Sequence, residues 1–261
     1  MDLMSILGLT CGFGVVYYTL YVGQMTRFLL NPEAIILIFG GTFGSVMISY
    51  PWSALRSVPA GLRMIIFPPQ RPSPMLLMST FVNLAEKARR EGIDSLSDEL
   101  SRLPHPYLAD CVRMILDGLE PDTIRERCEQ DILATQQRHQ NISGIFKSAG
   151  TFAPIFGLLG TLIGVVQVLR RITDPAAMGA SMAVAMTASF YGIFSANFLF
   201  LPIATKLTYY SEEDMLAREL IYKGTLSLQK GESPWLMARK LESFLAYHMR
   251  HKAKGSIKTP A

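Results

Sequence analysis

The sequence is poor in the residues from which catalytic and metal centres are made. Its three cysteines, Cys11, Cys111 and Cys128, have no paired spacing, and only four histidines occur in 261 residues. His248 and His251 stand at helical spacing, but no Cys or carboxylate is placed nearby to complete a metal shell. There is no serine elbow, no phosphate-binding loop ending in Lys-Ser or Lys-Thr, and no Cys-x-x-Cys motif. These absences exclude the common hydrolytic, nucleotide-binding and thiol-redox classes. The expectation is a protein that is not an enzyme and carries no metal or cofactor, with reduced, structural cysteines.

Charge is missing in blocks. No Asp, Glu, Lys, Arg or His occurs at 3–26, 34–55, 148–169 or 175–205. Each block is long enough for a helix to cross the hydrocarbon core, which takes about 20 residues. The expected fold class is therefore an all-α membrane protein with four transmembrane helices. Spans one and two occupy 1–55, a helical cytoplasmic domain 56–147, spans three and four 148–206, and a helical cytoplasmic tail 207–261. Span one has no basic segment before it and no small-residue cleavage site, so it is expected to remain as an anchor.

Lys and Arg are distributed unevenly. The short connections hold Arg27 alone and the pair Arg170 and Arg171, whereas twelve basic residues lie in 52–147 and ten in 206–261. The positive-inside rule puts both large segments and both termini in the cytoplasm. The formal net charge of +4 comes mainly from the tail, where ten basic residues oppose six acidic ones. That balance fits attraction to an anionic lipid leaflet and gives no reason to expect nucleic-acid binding.

Between the spans, the proline-rich run 67–74 reads as a stiff linker. Helices are expected at Met75–Arg90, Ile93–Arg102, Tyr107–Gly118 and Asp122–Phe146, the last running on into span three. Beyond span four the pattern predicts helices at Leu207–Lys230 and Pro234–Arg250. The cluster Gly40, Gly41, Gly44 sits inside span two, where close helix packing is the natural use of glycine.

Spans three and four carry small and helix-perturbing residues at helical spacing. Gly150, Pro154, Gly157, Thr161 and Gly164 share one face; Ser181, Ala185, Ala188, Gly192, Ser195 and Pro202 form a second stripe. Small faces admit another helix closely. An internal proline frees a carbonyl that lipid cannot satisfy, so Pro154 and Pro202 are expected near something other than lipid; simple kinks are the alternative. No carboxylate lies in any span. Hydroxyls such as Thr161, Thr187, Ser189 and Ser195 can ligate an ion or water but do not titrate usefully, so any proton path needs an acid from a partner.

The run Ala153-Pro154-Ile155-Phe156-Gly157-Leu158-Leu159-Gly160-Thr161-Leu162-Ile163-Gly164, then Asp174-Pro175, Phe190-Tyr191-Gly192, Ala196-Asn197 and Pro202-Ile203-Ala204-Thr205-Lys206, resembles the MotA/PomA flagellar stator subunits of the MotA/TolQ/ExbB group. Gly40-Gly41-Thr42-Phe43 and Gly231-Glu232-Ser233-Pro234 extend the likeness over nearly the whole chain, and four spans match MotA in preference to the three-span TolQ and ExbB pattern. The resemblance implies a homopentamer in the bacterial inner membrane around a MotB/PomB-type single-span subunit that carries the ion-binding Asp. Inward ion flow would turn the pentamer and drive the rotor through the switch protein FliG. It also implies that the small faces line the partner helices, with Pro154, Thr161, Ala188, Ser189 and Pro202 in ion passage and coupling. Arg89, Arg90, Asp98 and Glu99 would contact the rotor, Ser97 standing where the family has an acid. Ala188-Ser189 replaces the Thr-Thr of sodium-driven relatives, which favours H+ over Na+, although Thr161 keeps one oxygen ligand. The alternatives are a TolQ/ExbB-like energiser of an envelope process and a non-conducting membrane scaffold.

Overall fold

The computed structural model describes residues 3–24, 31–68, 71–170 and 172–245, and all regular structure among them is helical. Arg27, Arg171, His248 and His251 lie outside the described residues. Besides a single turn at Trp52–Leu55, the α-helices among the described residues are α1 (Leu3–Val22), α2 (Pro32–Ser49), α3 (Val58–Ile66), α4 (Pro74–Glu91), α5 (Pro106–Leu116), α6 (Pro121–Arg170), α7 (Pro175–Gln229) and α8 (Pro234–Leu241). Among the described residues α2, α6 and α7 are long and apolar enough to cross a membrane, whereas the apolar part of α1, Ile6–Val22, is shorter.

Most of these starts share one local device. Asn31, Ser73, Asp174 and Ser233 each precede a proline, and each side chain accepts a hydrogen bond from a backbone amide of the first turn. The side chain satisfies an amide the helix leaves orphaned, and proline occupies the position where a missing N–H costs nothing. His105 does the same before Pro106, its Nδ1 accepting from the Tyr107 amide at 3.1 Å. Gly92, Gly118 and Gly231 end helices at positive φ, where a side chain would be strained.

The helix at 122–146 runs on into span three as expected, and the two form one 50-residue helix, α6. Likewise α7 carries span four directly into the tail. Two π-helical turns interrupt the α geometry, Ile36–Gly40 in α2 and Ala196–Phe200 in α7. The second ends two residues before Pro202, whose ring would clash with the carbonyl of Phe198 in an unmodified α-helix, and a wider turn relieves that clash. Ile93–Arg102 is helical as expected but winds as a 3-10 helix. The last helix is shorter than Pro234–Arg250: α8 ends at Leu241, a 3-10 turn covers Glu242–Phe244, Leu245 follows in extended conformation, and 246–250 lie outside the described residues.

The chain forms two compact units. The first comprises Met1–Pro69 and His139–Tyr209. Its interior is rich in small side chains, with Ala149, Ala153, Ala196 and Ala204 among Val46, Ile145, Phe146, Phe200 and Leu207, and with Ala34, Ile38 and Ala188 in a second cluster. Its large apolar residues point outward: Ile48 is 89% exposed, and Leu158, Val166, Met186 and Ile193 are also exposed. Such a surface belongs in lipid.

The second unit comprises Gln70–Arg138 and Tyr210–Ala261. Here Leu77, Phe81, Leu96, Leu108, Ile124, Leu220, Ile221, Met237 and Leu241 are fully enclosed. Phe81 packs against backbone at Gly224, where an added Cβ would stand 2.6 Å from its ring. Arg218 ties the outer layer together, pairing with Asp131 at 2.7 Å and Asp214 at 2.9 Å while lying over the Tyr107 ring.

Candidate functional site

In the first unit the small stripes of spans three and four meet one another. A Cβ added at Gly192 would stand 2.7 Å from the carbonyl oxygen of Ala153 and 3.0 Å from the Cα of Gly157. One added at Gly160 would approach Ala188 Cβ to 2.3 Å, and one at Gly164 would approach Ala185 Cβ to 2.5 Å. The helices therefore touch backbone to backbone, which only Gly and Ala permit. The Asp174 cap fixes the turn between them, its Oδ1 accepting from the amides of Ala176 at 3.1 Å and Ala177 at 3.2 Å. The resemblance assigned these faces to a partner helix; within the chain their centre is already occupied.

This packing sorts the five predicted ion-path residues. Ala188 is fully enclosed, facing Gly160 on α6 and clustered with Ala34 and Ile38 of α2. Its side chain fills the helix crossing. Pro154, Thr161 and Ser189 are half-buried on the rim of that crossing, and Pro202 is exposed. Ser189 Oγ donates to the Gly157 carbonyl at 3.4 Å, and Thr161 Oγ1 donates to the Leu158 carbonyl at 2.6 Å. Pro154 has no N–H to give the Gly150 carbonyl. Gly150 in turn receives Leu201, since a Cβ built there would lie 2.7 Å from that side chain. Four residues of helix span about 6 Å, so Pro202 and Pro154 occupy neighbouring levels of the bundle.

Sequence reasoning passed over Thr42. It is fully buried, and its Oγ1 has no hydrogen-bond partner among the described residues. It lies one helical turn from Ile38 on the enclosed face of α2, while the adjacent Gly41 is held bare by the Phe156 ring. The only signal in the sequence was a hydroxyl beside a Gly-Gly pair.

In the second unit, Arg89 and Arg90 occupy the last turn of α4, where cations complement the helix dipole. Gly92, at φ 88°, turns the chain into the 3-10 helix, which Leu96 anchors in the core. Lys87 Nζ reaches across to Glu99 Oε1 at 2.7 Å. That bond and the charge of Lys87 hold the Glu99 carboxyl below its usual range, and the same bond raises Lys87. Glu99 is thereby committed within the chain. Arg89, Arg90 and Asp98 remain exposed, and Ser97 turns its hydroxyl back to the Asp94 carbonyl at 2.8 Å. Of the two acids predicted for the rotor face, only Asp98 presents a carboxylate outward without an internal ion pair.

Comparison with known proteins bears on both regions. The family model described as the MotA/TolQ/ExbB proton channel family matches residues 99–220. The chain is similar to Motility protein A of Borreliella burgdorferi, 33% identical over 98% of this chain and 99% of that protein. It is also similar to YtxD of Bacillus subtilis, a protein described as uncharacterized, with 31% identity over 98% of this chain and 91% of the other. Among solved structures, the flagellar MotAB stator complex from Bacillus subtilis contains a chain that superposes with a TM-score of 0.88 at 29% identity, covering 95% of this chain and 98% of that one.

Proposed function

The chain belongs to the MotA/TolQ/ExbB proton channel family, and from that premise we propose that it is a flagellar motor stator subunit that couples inward proton flow across the bacterial inner membrane to torque on the rotor. Family membership makes it a multi-pass membrane protein and a channel component, not an enzyme. The observation that carries the proposal is the likeness to Motility protein A over the full length of both chains.

In this reading all four apolar segments cross the membrane and both termini lie in the cytoplasm. Five copies surround a dimer of a MotB/PomB-type single-span subunit. That partner supplies the Asp, because no Asp, Glu, Lys, Arg or His lies between 148 and 169 or between 175 and 205. The rim residues Pro154, Thr161 and Ser189 face it, with Pro202 at the neighbouring level, while Ala188 holds the crossing closed behind them. A hydroxyl rim can hydrogen-bond water or a protonated carboxyl, and it provides too few oxygens for a sodium shell. Gly40 and Gly44 support subunit packing: nothing lies within 4 Å of a Cβ built at either, so α2 leaves room for a neighbouring helix. Arg89, Arg90 and Asp98 form the surface offered to FliG, and Glu99 serves through Lys87 as a brace.

The family also includes TolQ and ExbB. Full-length coverage of Motility protein A favours the stator over an energiser of another envelope process. The test is expression of this chain with its one-span partner in a flagellated host lacking its own stator. Restored swimming is expected; a non-motile host with normal membrane levels of both proteins would overturn the proposal.

A further inference from the structure

The stator reading makes no use of the two buried thiols of the second unit. Cys111 on α5 and Cys128 on α6 place their Sγ atoms 3.8 Å apart, within hydrogen-bond reach and joined by no disulfide. The sequence had led to the expectation of two unrelated structural cysteines, since sixteen residues and a turn separate them. Folding makes them a pair, because the turn at Gly118 returns the chain along α5 and puts both side chains on the shared core face.

Two features distinguish this pair from ordinary core cysteines. Cys128 forms part of the wall of an open cavity of about 420 Å³, together with Tyr107, Asp110, Arg113, Arg127 and Asp131. The cavity brings a small polar molecule up to the residue that carries one of the two sulfurs, although Cys128 itself is only 1% exposed. The sulfurs are also inequivalent. The Cys111 S–H is positioned to hydrogen-bond a thiolate on Cys128, and that contact, with the Tyr107 hydroxyl adding to it against the penalty of burial, lowers the Cys128 thiol, whereas the same contact and deep burial hold Cys111 protonated. The Tyr107 hydroxyl, donating to the Cys128 carbonyl at 3.4 Å, fixes the backbone behind the more acidic thiol.

From this geometry we infer that Cys111 and Cys128 form an oxidisable dithiol, a modification site whose co-substrate is a small hydroperoxide entering through the cavity beside Cys128. The Cys128 thiolate attacks one peroxide oxygen, the O–O bond breaks, and the leaving oxygen takes up a proton as alcohol or water. Cys128 is then a sulfenic acid. The Cys111 sulfur attacks it, the S–O bond breaks, and the departing hydroxide leaves as water with the Cys111 proton. Two thiols have lost two electrons to one peroxide, and a disulfide joins α5 to α6. Disulfides of cytosolic segments are characteristically of this transient, redox-sensing kind. The inference concerns the thiols alone and does not rest on the stator reading.

The experiment uses the full-length chain in inner-membrane vesicles treated with hydrogen peroxide, then denatured, alkylated with iodoacetamide and digested with trypsin. The expected product is peptide 103–113 joined to peptide 128–138, two hydrogens lighter than their sum and separated by dithiothreitol. In C111S the sulfenic acid on Cys128 should persist and be trapped by dimedone; in C128S, Cys111 should stay alkylatable. The inference is overturned if both wild-type thiols alkylate as fully as in untreated vesicles while glutathione added to the same vesicles is consumed. It is also overturned if the bridged species contains Cys11, or if C128S leaves Cys111 as reactive as before.

Discussion

The two units are built on opposite rules. In the second unit Phe81, Leu108, Ile221 and Met237 are enclosed and the charges lie outside. In the membrane unit Ala149, Ala153, Ala188 and Ala196 are enclosed while Leu158, Val166 and Ile193 face outward. The difference follows from the solvent. Water drives large apolar side chains together, whereas lipid gives them no reason to leave it, and helices then associate through the closeness of their backbones. Enclosed bulk dominates one unit, and close backbone contact at small residues adds to it in the other.

Opposite mutations should therefore break the two units. The largest effect is expected for Phe81→Ala, which empties a fully enclosed site and should cost about 3–5 kcal/mol, read as an earlier unfolding transition of the solubilised chain. Next comes Gly192→Ala, where one methyl meets the Ala153 carbonyl and should cost about 1–3 kcal/mol. Leu158→Ala removes far more bulk from the exposed face and should change stability by less than about 0.5 kcal/mol. If Leu158→Ala proved worse than Gly192→Ala in the same unfolding assay, the contrast between the units would fail. The smallest effect is a pH dependence at His105. Burial holds this imidazole below its ordinary 6.5, against a smaller opposing pull from Asp214 and with Arg218 and Arg71 adding to the depression. The unfolded chain thus binds the proton more readily, so the stabilising cap is fully present above about pH 6.5 and is lost as pH falls from there through the folded value. A His105→Asn variant, which keeps an acceptor but cannot titrate, should flatten that slope in the unfolding temperature.

Much of this architecture was readable in advance, for identifiable reasons. Blocks without charge located the apolar helices, whereas the capping pairs Asn31-Pro32, Ser73-Pro74 and Asp174-Pro175, which start helices in the fold, read in the sequence as turn, linker and family motif. Periodicity also showed that Gly157 and Gly164 share a face, and that Ala185, Ala188 and Gly192 share another. It could not show what those faces meet, because a small-residue stripe reads the same against a partner subunit as against the next helix of its own chain. The enclosed position of Ala188 was hidden for that reason. Pairing across a turn was equally invisible: Lys87 and Glu99 stand twelve residues apart, and only the turn at Gly92 and the anchor at Leu96 bring them together. The π-helical turn before Pro202 answers a clash that sequence can locate but whose resolution depends on neighbouring helices.

The central claim is that the crossing of α6 and α7 is closed by its own small residues, leaving its hydroxyl and proline rim to receive a partner's acid. Cysteine cross-linking tests this most directly, in a background with Cys11, Cys111 and Cys128 replaced by serine. Single cysteines at Thr161, Ser189 and Ala188 are paired with a cysteine one helical turn from the Asp of the single-span partner, and oxidative cross-linking is scored in membranes. The account predicts cross-links from 161 and 189 and none from 188. Efficient cross-linking from 188, with 161 and 189 silent, would contradict it.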